Sequence, residues 1–231
     1  MKIEIFASGS SGNCYKVSNE DTALLIECGI PIKEIRKKLN YNLDVDACLV
    51  THEHGDHSKA CKELLRSGTM VYMSKGTKDA LCLDSPFLYT FKSYHGGYVL
   101  HRINSFTVLP FEVIHDAREP VGFFIRDTIN CESLVFITDT QYIPYSFNMD
   151  YLMLEINYVS ETINNADVHE SLRKRIKESH LSLETALDFL KKCDLSKCKK
   201  IYILHLSSGN SDEKKIKEEV QKLTGLPVEI C

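Results

Sequence analysis

Three imidazoles and one carboxylate, His52, His54, Asp56 and His57, fall within six positions directly after the apolar run Ala47-Cys48-Leu49-Val50. Imidazole nitrogen and carboxylate oxygen are the donors preferred by zinc and other first-row divalent ions, and two neighbouring ions can activate water and grip an oxyanion together. The pattern therefore predicts a two-metal ligand cluster at the end of a buried strand, and with it a hydrolase. The spacing has a geometric reason. In an extended chain side chains repeat direction every second residue, so His52 and His54 can share one metal. Gly55 permits a sharp turn, after which Asp56 and His57 open a helix and face a second metal. A solvated loop that happens to be rich in histidine is the bland alternative, and chance seldom produces this spacing.

Two metals need more donors than this segment supplies, so His or Asp at the ends of other apolar runs become candidates. Three positions qualify: His115 after Thr107–Ile114, Asp139 after Leu134–Thr138, and His205 after Ile201–Leu204. Each alone reads as an ordinary polar strand end. Sharing one local pattern with His52 makes all three candidate ligands.

The elements that must position these residues are legible in outline. Strand-like runs cover Lys2–Ala7, Cys14–Val17, Ala23–Glu27, Ala47–Thr51, Thr69–Met73, Phe106–His115, Val121–Arg126 and Leu134–Thr138, followed by Lys200–His205 and Pro227–Ile230. Helical patterns fall between them. Pro31–Leu39 carries Ile32, Ile35 and Leu39 at helical spacing, Ser58–Arg66 follows the histidine cluster, Ser182–Lys192 starts on an N-capping serine and carries an apolar stripe, and Ser211–Leu223 is a further helix. Strands first, with helices interspersed and increasing later, predict an α/β (α+β) layered domain. No linker or internal repeat divides residues 1–231, so a single domain is expected.

Composition narrows the class. The net charge of −4 argues against a globally basic nucleic-acid binder, although Arg173, Lys174, Arg175 and Lys177 concentrate four cations just before His180. A solvated helix face and a phosphate-attracting patch are both open for that stretch. Runs around Lys191, Lys197 and Lys214–Lys217 read as ordinary exposed helix surface. No stretch approaches the about 18 apolar residues that span a membrane. Nine cysteines without a C-x-x-C pair, set among apolar neighbours, predict reduced buried thiols and a cytoplasmic protein. Oligomeric state is left open, a homodimer included.

Taken in order, the motifs resemble the metallo-β-lactamase superfamily: His-x-His-x-Asp-His at 52–57, then His115, Asp139 and His205. More narrowly the chain is similar to the YycJ/WalJ-like branch. The likeness rests on Ala7-Ser8-Gly9-Ser10-Ser11-Gly12-Asn13, His115-Asp116-Ala117 with Glu119-Pro120-Val121-Gly122-Phe123, Thr138-Asp139-Thr140, His180-Leu181-Ser182, and His205-Leu206-Ser207 with Asn210. This resemblance implies a four-layer αβ/βα sandwich. It implies that His52, His54 and His115 bind a first metal, that Asp56, His57 and His205 bind a second, and that Asp139 bridges them. Zinc is expected from the histidine-rich donor set, with manganese as a substitute.

Asp139 rather than a cysteine at the second metal makes lactam hydrolysis a poor fit, and phosphodiester cleavage a better one. In nucleic-acid-processing relatives a histidine like His180 reaches the phosphate or leaving oxygen, so His180 and Asp56 are the expected catalytic residues. Ser10, Ser11, Asn157, Arg173, Arg175, Ser182, Ser207 and Asn210 are the expected substrate contacts. A departure stands at 155–159. Branch members tend to read Glu-x-Asn-His-Asp, and here Glu155 and Asn157 match while Tyr158 and Val159 do not. The expected function is a dinuclear phosphodiesterase on nucleic acid, DNA exonuclease-like. A cyclic mononucleotide phosphodiesterase and a non-catalytic metal-binding scaffold are the alternatives; thioester or lactone hydrolysis is not removed by the ligands alone.

Overall fold

The structure, a computed structural model, describes residues 1–94, 97–165, 169–207 and 209–231. These divide into two compact units, the first comprising 1–112 and 117–132, the second 113–116 and 133–231. Both mix strands and helices, which gives the expected α/β class.

In the first unit β1 (Lys2–Ala7), β2 (Cys14–Ser18) and β3 (Ala23–Ile26) form an antiparallel meander. From β3 the sheet continues in parallel through β4 (Ala47–Leu49), β5 (Met70–Met73) and β6 (Leu88–Thr90). Helices α1 (Ile32–Lys38), α2 (Gly55–Ser58), α3 (Cys61–Arg66) and α4 (Lys75–Leu81) occupy the crossovers, as parallel pairing requires. Leu25, Cys48, Val71 and Met73 from the strands pack with Ile35 of α1 and Leu64 of α3, all fully buried. A short hairpin of β7 (Ser93–Tyr94) and β8 (Gly97–Tyr98) follows, then antiparallel β9 (His101–Ile103), β10 (Phe106–Glu112) and β11 (Val121–Asp127).

The second unit is built on four parallel strands, β12 (Ser133–Ile137), β13 (Tyr151–Glu155), β14 (Lys200–Leu204) and β15 (Val228–Ile230), paired in that order. Its helices are α5 (Ser160–Asn165), α6 (Glu170–Ser179), α7 (Leu183–Lys192) and α8 (Glu213–Thr224). The first three of these strands are almost wholly buried runs, as expected when both faces of a parallel sheet are covered. Among the described residues no helix is long and apolar enough to cross a membrane.

Three of the differences from the sequence expectation bear on the site. β10 ends at Glu112, so His115 sits beyond the strand on a strap where Ile114 N donates to Thr140 Oγ1 and Ile114 O accepts from Gln141 N. The helix expected over Ser58–Arg66 is two helices. Ala60 N donates to Cys28 O instead of continuing the ladder, which re-aims the chain between α2 and α3. β13 was not expected as a strand, because a Leu/Met-rich run carries little β-propensity and owes its form to parallel neighbours on both sides.

Asp127, fully buried at the end of β11, accepts from Asn19 Nδ2 (2.8 Å), Ile129 N (2.9 Å) and Asn130 Nδ2 (2.8 Å). Burial alone would raise its pKa, but the hydrogen bonds, led by those of Asn130 and Asn19, hold it below the usual carboxylate range. A depressed folded-state value means stabilisation present above the unfolded pKa of about 3.9 and lost as pH falls through the lower folded one. Asp127→Asn should therefore lower the melting temperature at neutral pH, with the gap from the parent closing below about pH 4 in thermal melts.

Candidate active site

In the first unit the four metal-motif residues leave β4 on a short extended segment and enter α2. His54 is the N-cap, and Asp56 and His57 lie in the only turn. His52 Nε2 and His54 Nδ1 approach to 3.1 Å while His52 Nδ1 contacts Thr51 Oγ1 at 2.8 Å. Two ring nitrogens from alternate residues thus converge, as the extended spacing requires. His57 Nδ1 lies 3.6 Å from Glu27, and its Nε2 faces Asp56 Oδ2 at 3.4 Å.

The loop between β1 and β2 holds this helix in place. Asn13 N donates to Asp56 O (2.8 Å), its Nδ2 reaches His57 Nε2 (3.2 Å), and its Oδ1 accepts from Gly9 N (2.9 Å) and the Tyr15 hydroxyl (3.0 Å). Ser10 and Ser11 stand exposed at the tip. Gly29 makes the tightest approach: a Cβ there would lie 1.6 Å from Asp56 O. Because that neighbour is backbone and cannot swing aside, Gly29→Ala should cost about 3 kcal/mol in chemical denaturation and displace α2, lowering metal affinity measured by titration.

In the second unit the chemistry converges on one buried carboxylate. Glu155, fully buried at the end of β13, places Oε1 at 2.6 Å from His180 Nδ1 and 3.1 Å from His205 Nδ1. Its Oε2 accepts from Thr140 N (3.1 Å) and, at longer range, Leu181 N (3.4 Å). Asp139 Oδ1 lies 3.1 Å from His205 Nδ1, and Asp139 Oδ2 lies 3.5 Å from His115 Nε2. Asp139, Glu155, His180 and His205 each offer an atom within 4.8 Å of the others'. Asp139 and His205, like Glu27 in the first unit, adopt left-handed φ values of 46°, 51° and 64°. Non-glycine residues adopt this conformation at some energetic cost, which the surrounding hydrogen bonds must offset.

The donor set fits divalent metals. His115 Nδ1 donates to Ser179 O (2.8 Å), which fixes the tautomer and leaves Nε2 with its lone pair. His205 and His57 likewise turn Nδ1 to the carboxylates of Glu155 and Glu27, the outer arrangement that orients imidazole ligands. Charge environments separate the histidines. Burial holds His115 below its ordinary value despite Asp139, favouring the neutral form that binds metal. For His180 burial pushes the same way, but the Glu155 carboxylate outweighs it and raises the value, favouring imidazolium. Glu155 stays below the usual carboxylate range, since its histidine contacts outweigh desolvation, whereas burial raises Glu27.

The expected substrate contacts fall into two groups. Arg173 and Arg175 lie on α6, the latter exposed and 3.4 Å from Asp116. Asn157, Ser182, Ser207 and Asn210 are less open. Ser182 Oγ caps α7 by accepting from Thr185 N, and Asn157 Nδ2 donates to His205 O (2.9 Å), steadying that residue's backbone. Asn210 is buried and donates to Ser207 Oγ. Glu27 is a site residue that sequence reasoning did not single out, and Glu155 entered it only as a motif match without a role. Each ends an apolar run, Ala23–Ile26 and Tyr151–Leu154, so the signal that selected Asp139 would have found both.

A model of the beta-lactamase superfamily domain matches residues 23–205. The chain is 30% identical to exodeoxyribonuclease WalJ of Streptococcus pneumoniae over 227 residues, covering 91% of this chain and 83% of that one. Exodeoxyribonuclease YycJ of Bacillus anthracis is 28% identical over 231 residues, covering 91% and 84%. Among solved structures, the metallo-beta-lactamase fold protein YhfI from Bacillus subtilis superposes with a TM-score of 0.76 at 17% identity, covering 99% and 95% of the two chains.

Proposed function

Because the chain belongs to the beta-lactamase superfamily it is a metal-dependent hydrolase, and we propose that it cleaves phosphodiester bonds in nucleic acid, shortening DNA from an end. The observation carrying this is the His180–Glu155 pair at 2.6 Å, an imidazole backed by a buried carboxylate beside metal-ligand candidates, the arrangement of a general acid for an oxygen leaving phosphorus. The curated relatives' names supply the substrate class.

In this reading a single domain would hold two ions, zinc or manganese: His52, His54 and His115 would hold one, Asp56, His57 and His205 the other, and Asp139 would complete the set. Such ions, when bound, acidify water and neutralise phosphate charge. The side chains do the rest. A water oxygen forms the new bond to phosphorus and passes its proton to Asp56. The bond to the leaving oxygen breaks, and His180 Nε2 delivers a proton to that oxygen while Nδ1 stays on Glu155. Burial lowers the His115 value while the Glu155 carboxylate raises that of His180, so the surroundings drive the two imidazoles apart, the first toward ligation and the second toward acid catalysis.

The departure at Tyr158 and Val159 is a feature that would favour a cyclic mononucleotide. Both side chains are buried, and Tyr158 bridges to Ser182. They line the interior, so the departure gives no reason to change the substrate. Buried, unpaired cysteines at positions 14, 28, 48, 61 and 198 support a reducing, cytoplasmic setting. The test is incubation of metal-replete protein with single- and double-stranded DNA, RNA and cyclic mononucleotides, beside His52→Ala. Release of nucleotides from DNA by the parent alone is expected. An uncut polymer panel would overturn the reading.

A further inference from the structure

Helix α6 carries four cations within five positions, 173–177. Its sequence places Arg173, Lys174 and Lys177 at i, i+1 and i+4, one helical face, with Arg175 turned toward the His115 strap. Two concavities open along this helix. One, of about 460 Å³, lies between Ile114, His115 and Asp116 and the side chains of Lys174, Arg175 and Glu178. The other, of about 540 Å³, continues past Arg173, Lys174 and Lys177 toward Asn164. Lys174 and Glu178 line both, so the clefts are consecutive. Each falls in the range of about 300–1,000 Å³ typical of ligand clefts.

We propose that this face of α6 is a track for a polynucleotide strand, seating two successive nucleotides beyond the reacting phosphate, so that the substrate is a polymer rather than a cyclic mononucleotide. The inference rests on the phosphodiesterase reading above and specifies its substrate. The cleft nearer the metal-ligand candidate begins at His115, and half-exposed Ile114 offers an apolar floor for a base or sugar. Cations match the acids in the first cleft, Lys174 and Arg175 beside Asp116 and Glu178, and outnumber them in the second, Arg173, Lys174 and Lys177 beside Glu170 and Glu178. Lys177 Nζ donates to Asn164 Oδ1 at 2.7 Å, while two ion pairs are weak, Lys174–Glu178 at 3.8 Å and Arg175–Asp116 at 3.4 Å, with both cationic side chains more than 60% exposed. Exposed pairs of this kind contribute little and exchange readily for phosphate. A cyclic mononucleotide carries a single phosphate and would leave the second cleft without a role.

The test measures binding as well as turnover. A fluorescent single-stranded phosphorothioate oligonucleotide is titrated against metal-replete protein by anisotropy at several salt concentrations. Lys174→Ala/Arg175→Ala/Lys177→Ala should weaken binding about tenfold or more and flatten the log–log salt slope by about 1 per cation removed. The α8 triple variant Lys214→Ala/Lys217→Ala/Lys222→Ala, which removes the same charge from exposed positions, should bind as the parent does. In turnover, kcat/KM on oligonucleotide should fall relative to that on bis(4-nitrophenyl) phosphate, through KM. Unchanged affinity and slope in the α6 variant, or an equal loss in the α8 variant, overturns the track even if the parent cuts DNA. A parent that cuts neither substrate sinks the phosphodiesterase reading instead, and anisotropy still judges the track. If the triple variant does not fold, Lys174→Glu alone is read by the same criteria.

Discussion

Replacing Asp139 with alanine should lower kcat/KM on DNA about a thousandfold, some 4 kcal/mol of transition-state stabilisation, and reduce the bound metal assayed on the same sample. The size follows from its position. One carboxylate lies 3.5 Å from His115 Nε2 and 3.1 Å from His205 Nδ1, and it is only 3% exposed. Its removal takes a negative charge from between two ligand candidates, which cations would then have to occupy against reduced compensation. Asp139→Asn keeps the volume and removes only the charge, so it should lose metal as alanine does while melting closer to the parent. Alanine and asparagine losing activity with full metal content would show that the carboxylate does not hold the ions. Glu27→Gln, beneath His57, should give a milder loss of about 10- to 100-fold in metal affinity, the effect expected when an orienting partner is changed and the ligand itself remains.

Much of this site is readable from the chain because a parallel strand delivers its last residue to one edge of its sheet, and an acid or imidazole after an apolar run marks that delivery. Asp139 and His205 follow this rule. His52 follows it loosely, three residues past the end of β4, and His115 departs further, since antiparallel β10 also stops three residues earlier and hydrogen bonds to Thr140 and Gln141 carry the strap onward. What did not show was the layer behind the ligands. Glu155 looks like a strand-end acid of no special kind until His180, 25 residues on, and His205, 50 residues on, are seen to share its Oε1. Pairings across such separations depend on β13 and β14 lying side by side, a register no local pattern encodes. Likewise Ser182 carries a motif position and an N-cap signal at once, and the hydroxyl is found capping α7. The helical break after α2 was hidden for a similar reason, because the carbonyl that captures Ala60 belongs to Cys28, far upstream.

Removing the His180 imidazole should lower kcat on DNA by about 10²- to 10⁴-fold, the span typical of losing a general acid, with bound metal unchanged. The separation from the Asp139 result is physical. His180 Nδ1 is engaged by Glu155 at 2.6 Å, and the side chain is 18% exposed, more open than His205 at 3%, so Nε2 is the nitrogen available to substrate. An acid matters in proportion to how badly the leaving oxygen needs a proton. DNA departs as a strongly basic alkoxide, whereas a nitrophenyl ester releases a stable anion unaided. His180→Ala should therefore lose far more on DNA than on bis(4-nitrophenyl) phosphate, and the loss should sit in kcat, unlike the KM effect expected at α6. Glu155→Gln should reproduce part of the same selectivity by leaving the imidazole without its anionic partner. It should also destabilise the fold by about 3 kcal/mol, because amide replaces a carboxylate that is buried against two histidines and two backbone N–H groups. Equal losses on both esters would mean that His180 acts by holding phosphate, and a matching loss of metal would mean that it is a ligand.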